Sequence, residues 1–161
     1  LEETWFSVLE EWIDQILSTD LGPSRLKDLK KHDRVAELEF FFSLSGSEKM
    51  IQFLFEQGFI SSRGKKDLNI EGFMTGIIDL AFRKGGKYYL LDYKSNCLGP
   101  NESSYDSESL SLAMKRHDYH LQYLIYTVAL HRMLKRDLES YSYEEHFGGV
   151  YSTIPTKLKW C

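Results

Sequence analysis

The sequence predicts an α/β domain in which a small mixed β-sheet is flanked by helices. Three observations carry this. Residues 76–94 read as two buried strands joined at Gly85-Gly86. A third strand pattern precedes them at Arg34–Leu44, and a fourth is approached near Tyr151. Segments with helical spacing open the chain and fill residues 110–138. Helix, strands, helix, strand in this order place helices against a sheet. The 161 residues suffice for one domain with a real core and are too few for two comfortable ones.

Trp5, Leu9, Trp12, Ile13, Ile16 and Leu17 recur at helical spacing, so the chain opens with an amphipathic helix that Leu21-Gly22-Pro23 ends. A lysine-rich polar segment follows. Arg34–Leu44 then alternates as a strand, with Ala36, Leu38, Phe40 and Phe42 on one side and Val35, Glu37, Glu39 and Phe41 on the other. The two glutamates suit a solvent-facing edge, whereas Val35 and Phe41 suit partial burial. Met50–Gln57 reads as a short helix closed by Gly58, and Ser61–Lys66 as a loop. Asn96–Ser109 is a polar loop, and Leu110 to about Leu138 one long helix on which Gln122 and Tyr126 share a face. No internal repeat or low-complexity segment is present.

The hairpin carries the chemistry. Glycine tolerates the positive φ that both central positions of a tight two-residue turn need. With Gly85 and Gly86 there, Lys84 pairs with Lys87 and Asp79 falls opposite Asp92, roughly 5 Å apart at Cβ. Lys94, two residues on, points to the face of Asp92. Ile78, Leu80, Phe82, Tyr89, Leu91 and Tyr93 cover the opposite face; Ile77, Ala81 and Leu90 extend the acidic one. An Asp–Lys pair is ordinarily a surface ion pair. Charges on a sheet apolar on both sides must instead be paired or bind a metal, because uncompensated burial costs several kcal/mol. The pattern therefore points to a metal site with a water-activating lysine.

Composition narrows the alternatives. No apolar run is long enough to span a bilayer. Leu1-Glu2-Glu3 lacks an initiator Met and a signal-peptide layout, so the chain is expected to be a piece of a longer protein. Cys97 and Cys161 are too few for a zinc or iron–sulfur site of their own, and a reduced, cytoplasmic setting is the default. The net charge of −4 argues mildly against a free-standing DNA binder. Basic clusters at Lys27, Lys30, Lys31 and Arg34, at Arg63, Lys65 and Lys66, and at Arg132, Lys135 and Arg136 read first as solvated surface. No Ser-His-Asp or Cys-His grouping and no phosphate-cradling glycine loop competes with the acid–lysine cluster.

At Ala36-Glu37-Leu38-Glu39-Phe40, Gly76-Ile77-Ile78-Asp79-Leu80, Leu90-Leu91-Asp92-Tyr93-Lys94-Ser95-Asn96, Leu121-Gln122-Tyr123 with Tyr126, and His146-Phe147-Gly148-Gly149-Val150, the chain closely resembles a known family. This is the C-terminal nuclease domain of RecB, the beta subunit of bacterial exodeoxyribonuclease V, in the PD-(D/E)XK superfamily. The resemblance implies a restriction-endonuclease-like core. It also implies that residues 1–161 are a single nuclease domain cut from a helicase–nuclease subunit. Asp79, Asp92 and the Tyr93 carbonyl would bind Mg²⁺. Lys94 would position or deprotonate the attacking water, and Glu37 would hold the metal directly or through water. Gln122 and Tyr126 would line the site; Glu39 ranks lower. The implied activity is exodeoxyribonuclease cleavage of DNA during double-strand break repair by homologous recombination. The implied partners are RecC, RecD and RecA.

The match has two departures. The family carries a metal-binding histidine upstream of residue 1, and none of His32, His117, His120, His131 or His146 corresponds to it. Residues 152–161 also leave the family pattern. A second reading of the same resemblance is a docking module for RecA with catalysis lost, against which the intact Asp79, Asp92 and Lys94 argue. Related AddA, AddB and CRISPR-associated nucleases fit less well, since several carry a four-cysteine cluster.

Overall fold

Strands β1 (Arg34–Ser43), β2 (Phe73–Lys84), β3 (Lys87–Tyr93) and β4 (Phe147–Thr153) lie side by side in that order in a computed structural model. It describes residues 2–46, 48–59, 72–94, 98–99, 101–116 and 119–153. The first two strand contacts are antiparallel and β3–β4 is parallel, so the sheet is mixed. Helices α1 (Glu2–Ser18), α2 (Glu48–Glu56), α3 (Ser107–Arg116), α4 (Tyr119–Asp137) and the single turn α5 (Tyr143–His146) complete the fold. This is the α/β class the sequence predicts. The parallel β4 follows from the connection: the chain leaves β3, runs through the helices and re-enters beside it.

The turn forms as expected, with Gly85 and Gly86 at φ of 58° and 80°. The ladder runs from Lys84↔Lys87 to Leu80↔Leu91. Both faces of the sheet are covered at its centre. On one, Ile78, Ala81 and Leu90 pack with Phe40 and Phe42 against Tyr126, Ala129, Leu130 and Leu134 of α4. On the other, Leu80, Phe82, Tyr89 and Leu91 meet Leu21, Leu26 and Leu29 from the segment after α1. Leu90 and Leu91 are therefore both fully buried. Gly76 lets the Phe40 ring lie flat on the sheet, since a Cβ there would stand 2.5 Å from the ring.

Several details differ from the sequence reading. β1 is an edge strand largely in solvent: Val35, Glu37, Glu39 and Phe41 are all exposed. Among the described residues these four positions stay uncovered, so the edge reading wins over partial burial. α3 begins at Ser107, inside the stretch expected to be loop, because Asp106 caps it by accepting the Ser109 N–H at 2.7 Å. The expected long helix is helical at 107–116 and 119–137, and residues 117–118 lie outside the described ones. On α1, Ile16 joins the second core while Trp5, Phe6 and Ile13 stay half or more exposed. The expected loop Ser61–Lys66, both cysteines, His117 and residues 154–161 also lie outside the described residues.

Candidate active site

The β2–β3 ladder ends one pair before the two aspartates. Asp79 and Asp92 are the next positions, but they do not pair across the strands as the hairpin register alone suggests. Instead Asp79 Oδ2 accepts the Tyr93 N–H at 2.7 Å, its side chain standing in for a ladder bond. The β1–β2 ladder has a gap at the same place. Ala36↔Leu80 and Leu38↔Ile78 pair, whereas Glu37 and Asp79 between them do not. Glu37 is the non-glycine residue with positive φ among the described residues, at 52°.

This gap reverses the alternation of β2. Ile78 packs with Ala81 and Leu90, and Leu80 packs on the other side with Phe82 and Leu91. Ile78 therefore belongs to the acidic face, not to the opposite face that strict alternation assigns it. Ile77 is half exposed and does not extend the acidic face as expected. The irregularity, at Asp79, frees its carboxylate from the regular pleat. Left-handed backbone at a non-glycine residue costs roughly 1–2 kcal/mol, and such strain clusters at functional positions.

Asp92 is the buried charged residue of the described core, 2% exposed. Its Oδ2 meets Lys94 Nζ at 2.5 Å and receives no well-formed hydrogen bond. Gln122 on α4 ties the cluster together. Its Oε1 accepts from Lys94 Nζ at 2.5 Å, and its Nε2 donates to Tyr126 Oη at 2.7 Å and to Asp92 Oδ1 at 3.3 Å. An ammonium can only donate, so the lysine dictates which end of the amide faces it. The Tyr119 ring closes the ammonium from another side, 4.1 Å from Nζ to the ring centroid.

Burial pushes the Asp92 carboxyl above the ordinary carboxylate range; the adjacent Lys94 opposes this and the Asp79 charge adds to it. Burial also raises the Tyr126 phenol, with the Gln122 hydrogen bond opposing and the charges of Asp92 and Asp79 adding. Two carboxylates close enough to feel each other, in a site that disfavours free charge, are chemically suited to a hard divalent cation. Asp79, Asp92 and the Tyr93 carbonyl are oxygen donors of the right kind. Among the described residues no group of three or more His, Cys, Asp or Glu side chains gathers as a metal cage.

Of the residues singled out from sequence, Asp92, Lys94, Gln122 and Tyr126 are in direct contact, with Asp79 anchored to the neighbouring Tyr93. Glu37 stands at the gap with an exposed side chain, and Glu39 pairs with Ile77 on the solvent side. The described histidines are engaged elsewhere: His32 with Asp33, His120 beside Phe59, His131 with Tyr141, and His146 with Ser142. Arg132 is no free basic surface; it donates to Ser43 O and lies over the Phe42 ring. Tyr119 went unnoticed in the sequence, although its spacing of three from Gln122 and seven from Tyr126 puts it on the same helix face.

A four-stranded mixed sheet between helices, with an acid–lysine cluster where the central ladder ends, is compatible with a restriction-endonuclease-like core. No family model matches the chain. It is 40% identical over 156 residues to RecBCD enzyme subunit RecB of Escherichia coli (strain K12), covering 92% of this chain and 13% of that protein. Identity is 39% to the RecB subunit of Haemophilus influenzae and 38% to that of Buchnera aphidicola from Acyrthosiphon pisum, at 94% and 91% of this chain. The chain is thus homologous to one segment of RecB, spanning 13% of these relatives' length, consistent with the C-terminal nuclease domain the motifs resemble.

Proposed function

We propose that this chain hydrolyses DNA phosphodiester bonds with the help of Mg²⁺, as the nuclease domain of a RecBCD-type helicase–nuclease acting in break repair by homologous recombination. The observation that carries the reading is the buried Asp92–Lys94 pair, held by Gln122 and Tyr126 beside a second carboxylate. A buried ion pair adds little stability that well-packed apolar residues would not supply. Its position among the residues that carry the resemblance to the RecB nuclease domain favours catalysis as the reason for it.

Each residue then has a task. Lys94 is fixed by Asp92 Oδ2 and Gln122 Oε1 and sets a compact positive charge next to the phosphoryl oxygens, where negative charge grows. It also orients the attacking water. Asp79 is held in one rotation by the Tyr93 N–H, and Asp92 is presented from the buried end of β3. These two and the Tyr93 carbonyl would hold the cation. Bound Mg²⁺ would offset phosphate charge and lower the pKa of a coordinated water. Gln122 and Tyr126 keep the lysine and the acid in register.

The relatives carry the name of a RecBCD enzyme subunit, so the partners proposed are DNA, RecC and RecD, with RecA as the protein recruited. No described helix is long and apolar enough to cross a membrane, and the proposed location is the cytoplasm. The test is cleavage of linear DNA by the full-length chain in its complex, with Mg²⁺ or excess chelator, alongside calorimetry of Mg²⁺ binding. Cleavage that survives chelation would overturn the metal-dependent reading. Metal binding without cleavage would favour the docking module.

A further inference from the structure

Among the described residues the nearly buried Lys94 ammonium sits between three groups, of which Asp92 is the acid. Asp92 Oδ2 and Gln122 Oε1 each lie 2.5 Å from Nζ, and the Tyr119 ring faces it at 4.1 Å. An ammonium stripped of water is attracted to the negative face of an aromatic ring. We propose that Tyr119 is a positioning residue: its ring holds the Lys94 ammonium against Asp92 and Gln122 and so aims it at the reacting phosphate. The inference rests on the nuclease reading for its kinetic consequence, and on geometry alone for the contact.

The placement follows from the helix. Tyr119, Gln122 and Tyr126 occupy one stripe of α4, so a single rigid element presents a ring, an amide and a phenol to the end of β3. Asp92 pulls the ammonium from the sheet side. A ring adds attraction without a further negative charge. A third carboxylate there would add to the repulsion that Asp79 already exerts on Asp92. The lysine and a metal cation would also compete for it. The ring anchors the lysine while the two aspartates keep their charge for the metal.

The test compares Tyr119→Phe, which keeps the ring, with Tyr119→Leu and Tyr119→Met, which fill space without a π face, in the full-length chain. Two readouts are taken. One is steady-state cleavage of linear DNA. The other is labelling of Lys94 by a small amine-reactive reagent, measured by mass spectrometry relative to the other lysines. Tyr119→Leu should lower kcat by about tenfold, within the range expected for a desolvated cation–π contact, with KM for DNA nearly unchanged. Its Lys94 should label several-fold faster, and Tyr119→Phe should match the parent within about twofold on both readouts. Tyr119→Met repeats the comparison should the leucine variant fail to fold. Unchanged labelling and kcat in both ring-less variants would overturn the proposal. A Phe variant as impaired as the Leu variant would also overturn it, by assigning the role to the hydroxyl. If no protein cleaves, the nuclease reading falls while labelling still decides the contact.

Discussion

Lys94 is the cation of the cluster, and its removal leaves Asp92 buried without its ion-pair partner. Lys94→Ala in the full-length chain should lower DNA cleavage on the order of 10²–10³-fold, as for loss of one transition-state donor. Cleavage within a fewfold of the parent would show that another group does this work. Asp92 gives a second prediction, through pH. Its carboxyl is pushed up, chiefly by burial. A raised folded-state value means that its contribution to stability is fully present below the ordinary Asp range and is lost as pH rises through the raised value. With chelator present, Asp92→Asn should therefore gain stability relative to the parent as pH is raised above about 4, the ordinary Asp value, and level off once Asp92 is ionised. Urea unfolding of both proteins across that window measures the difference. A flat difference would mean that the Lys94 pairing cancels the cost of burial. Asp92 and Lys94 were legible in the sequence because charged residues inside an apolar hairpin stand out, whereas the spacing of Gln122 and Tyr126 gave only a shared helix face and the resemblance marked them as site residues. Tyr119 was not legible: within what the sequence reads as one long helix, its shared face with Gln122 and Tyr126 gained meaning once its ring was found 4.1 Å from Nζ.

At the scale of elements, the strand-to-strand geometry was legible as far as regular alternation holds. The Gly85-Gly86 turn set the register down to Leu80↔Leu91. Beyond it, Glu37 breaks the pleat on β1, and Ile78 turns to the face of Ala81 and Leu90. Nothing in a Glu among alternating apolar residues announces a positive φ, so the reversal was invisible beforehand. The backbone and the side chain of Glu37 can be separated. Glycine adopts this conformation without the steric cost that alanine meets. Glu37→Gly should therefore be more stable than Glu37→Ala by about 1 kcal/mol, although both lose the carboxylate. Thermal or urea unfolding would check this, and equal stabilities would show that residue 37 is not strained. Equal cleavage by the two variants would in turn confine any loss to the side chain. The start of α3 was missed because the cap at Asp106 looks, in sequence, like more polar loop.

For the whole molecule, the question is how much of the site this chain carries. Mg²⁺ favours an octahedron of oxygens and keeps several waters. Asp79, Asp92 and the Tyr93 carbonyl would supply part of that shell in the proposed site, and no third His, Cys, Asp or Glu side chain joins them among the described residues. The chain spans 13% of the relatives it matches. The resemblance implies a further histidine ligand preceding residue 1. Each ligand contributes to affinity, and two carboxylates facing each other without full neutralisation hold a proton more tightly, which competes with metal. The 161-residue chain should therefore bind Mg²⁺ or Mn²⁺ more weakly than the same residues within a RecB-length chain, by at least about tenfold. Its affinity should also rise with pH, because the Asp92 proton must leave. Titration of both proteins by calorimetry at two pH values separates the effects. Equal affinities would mean that the preceding histidine is dispensable or replaced, with Glu37 at the ladder gap as the next residue to mutate. A pH-independent affinity would instead place the metal away from Asp92.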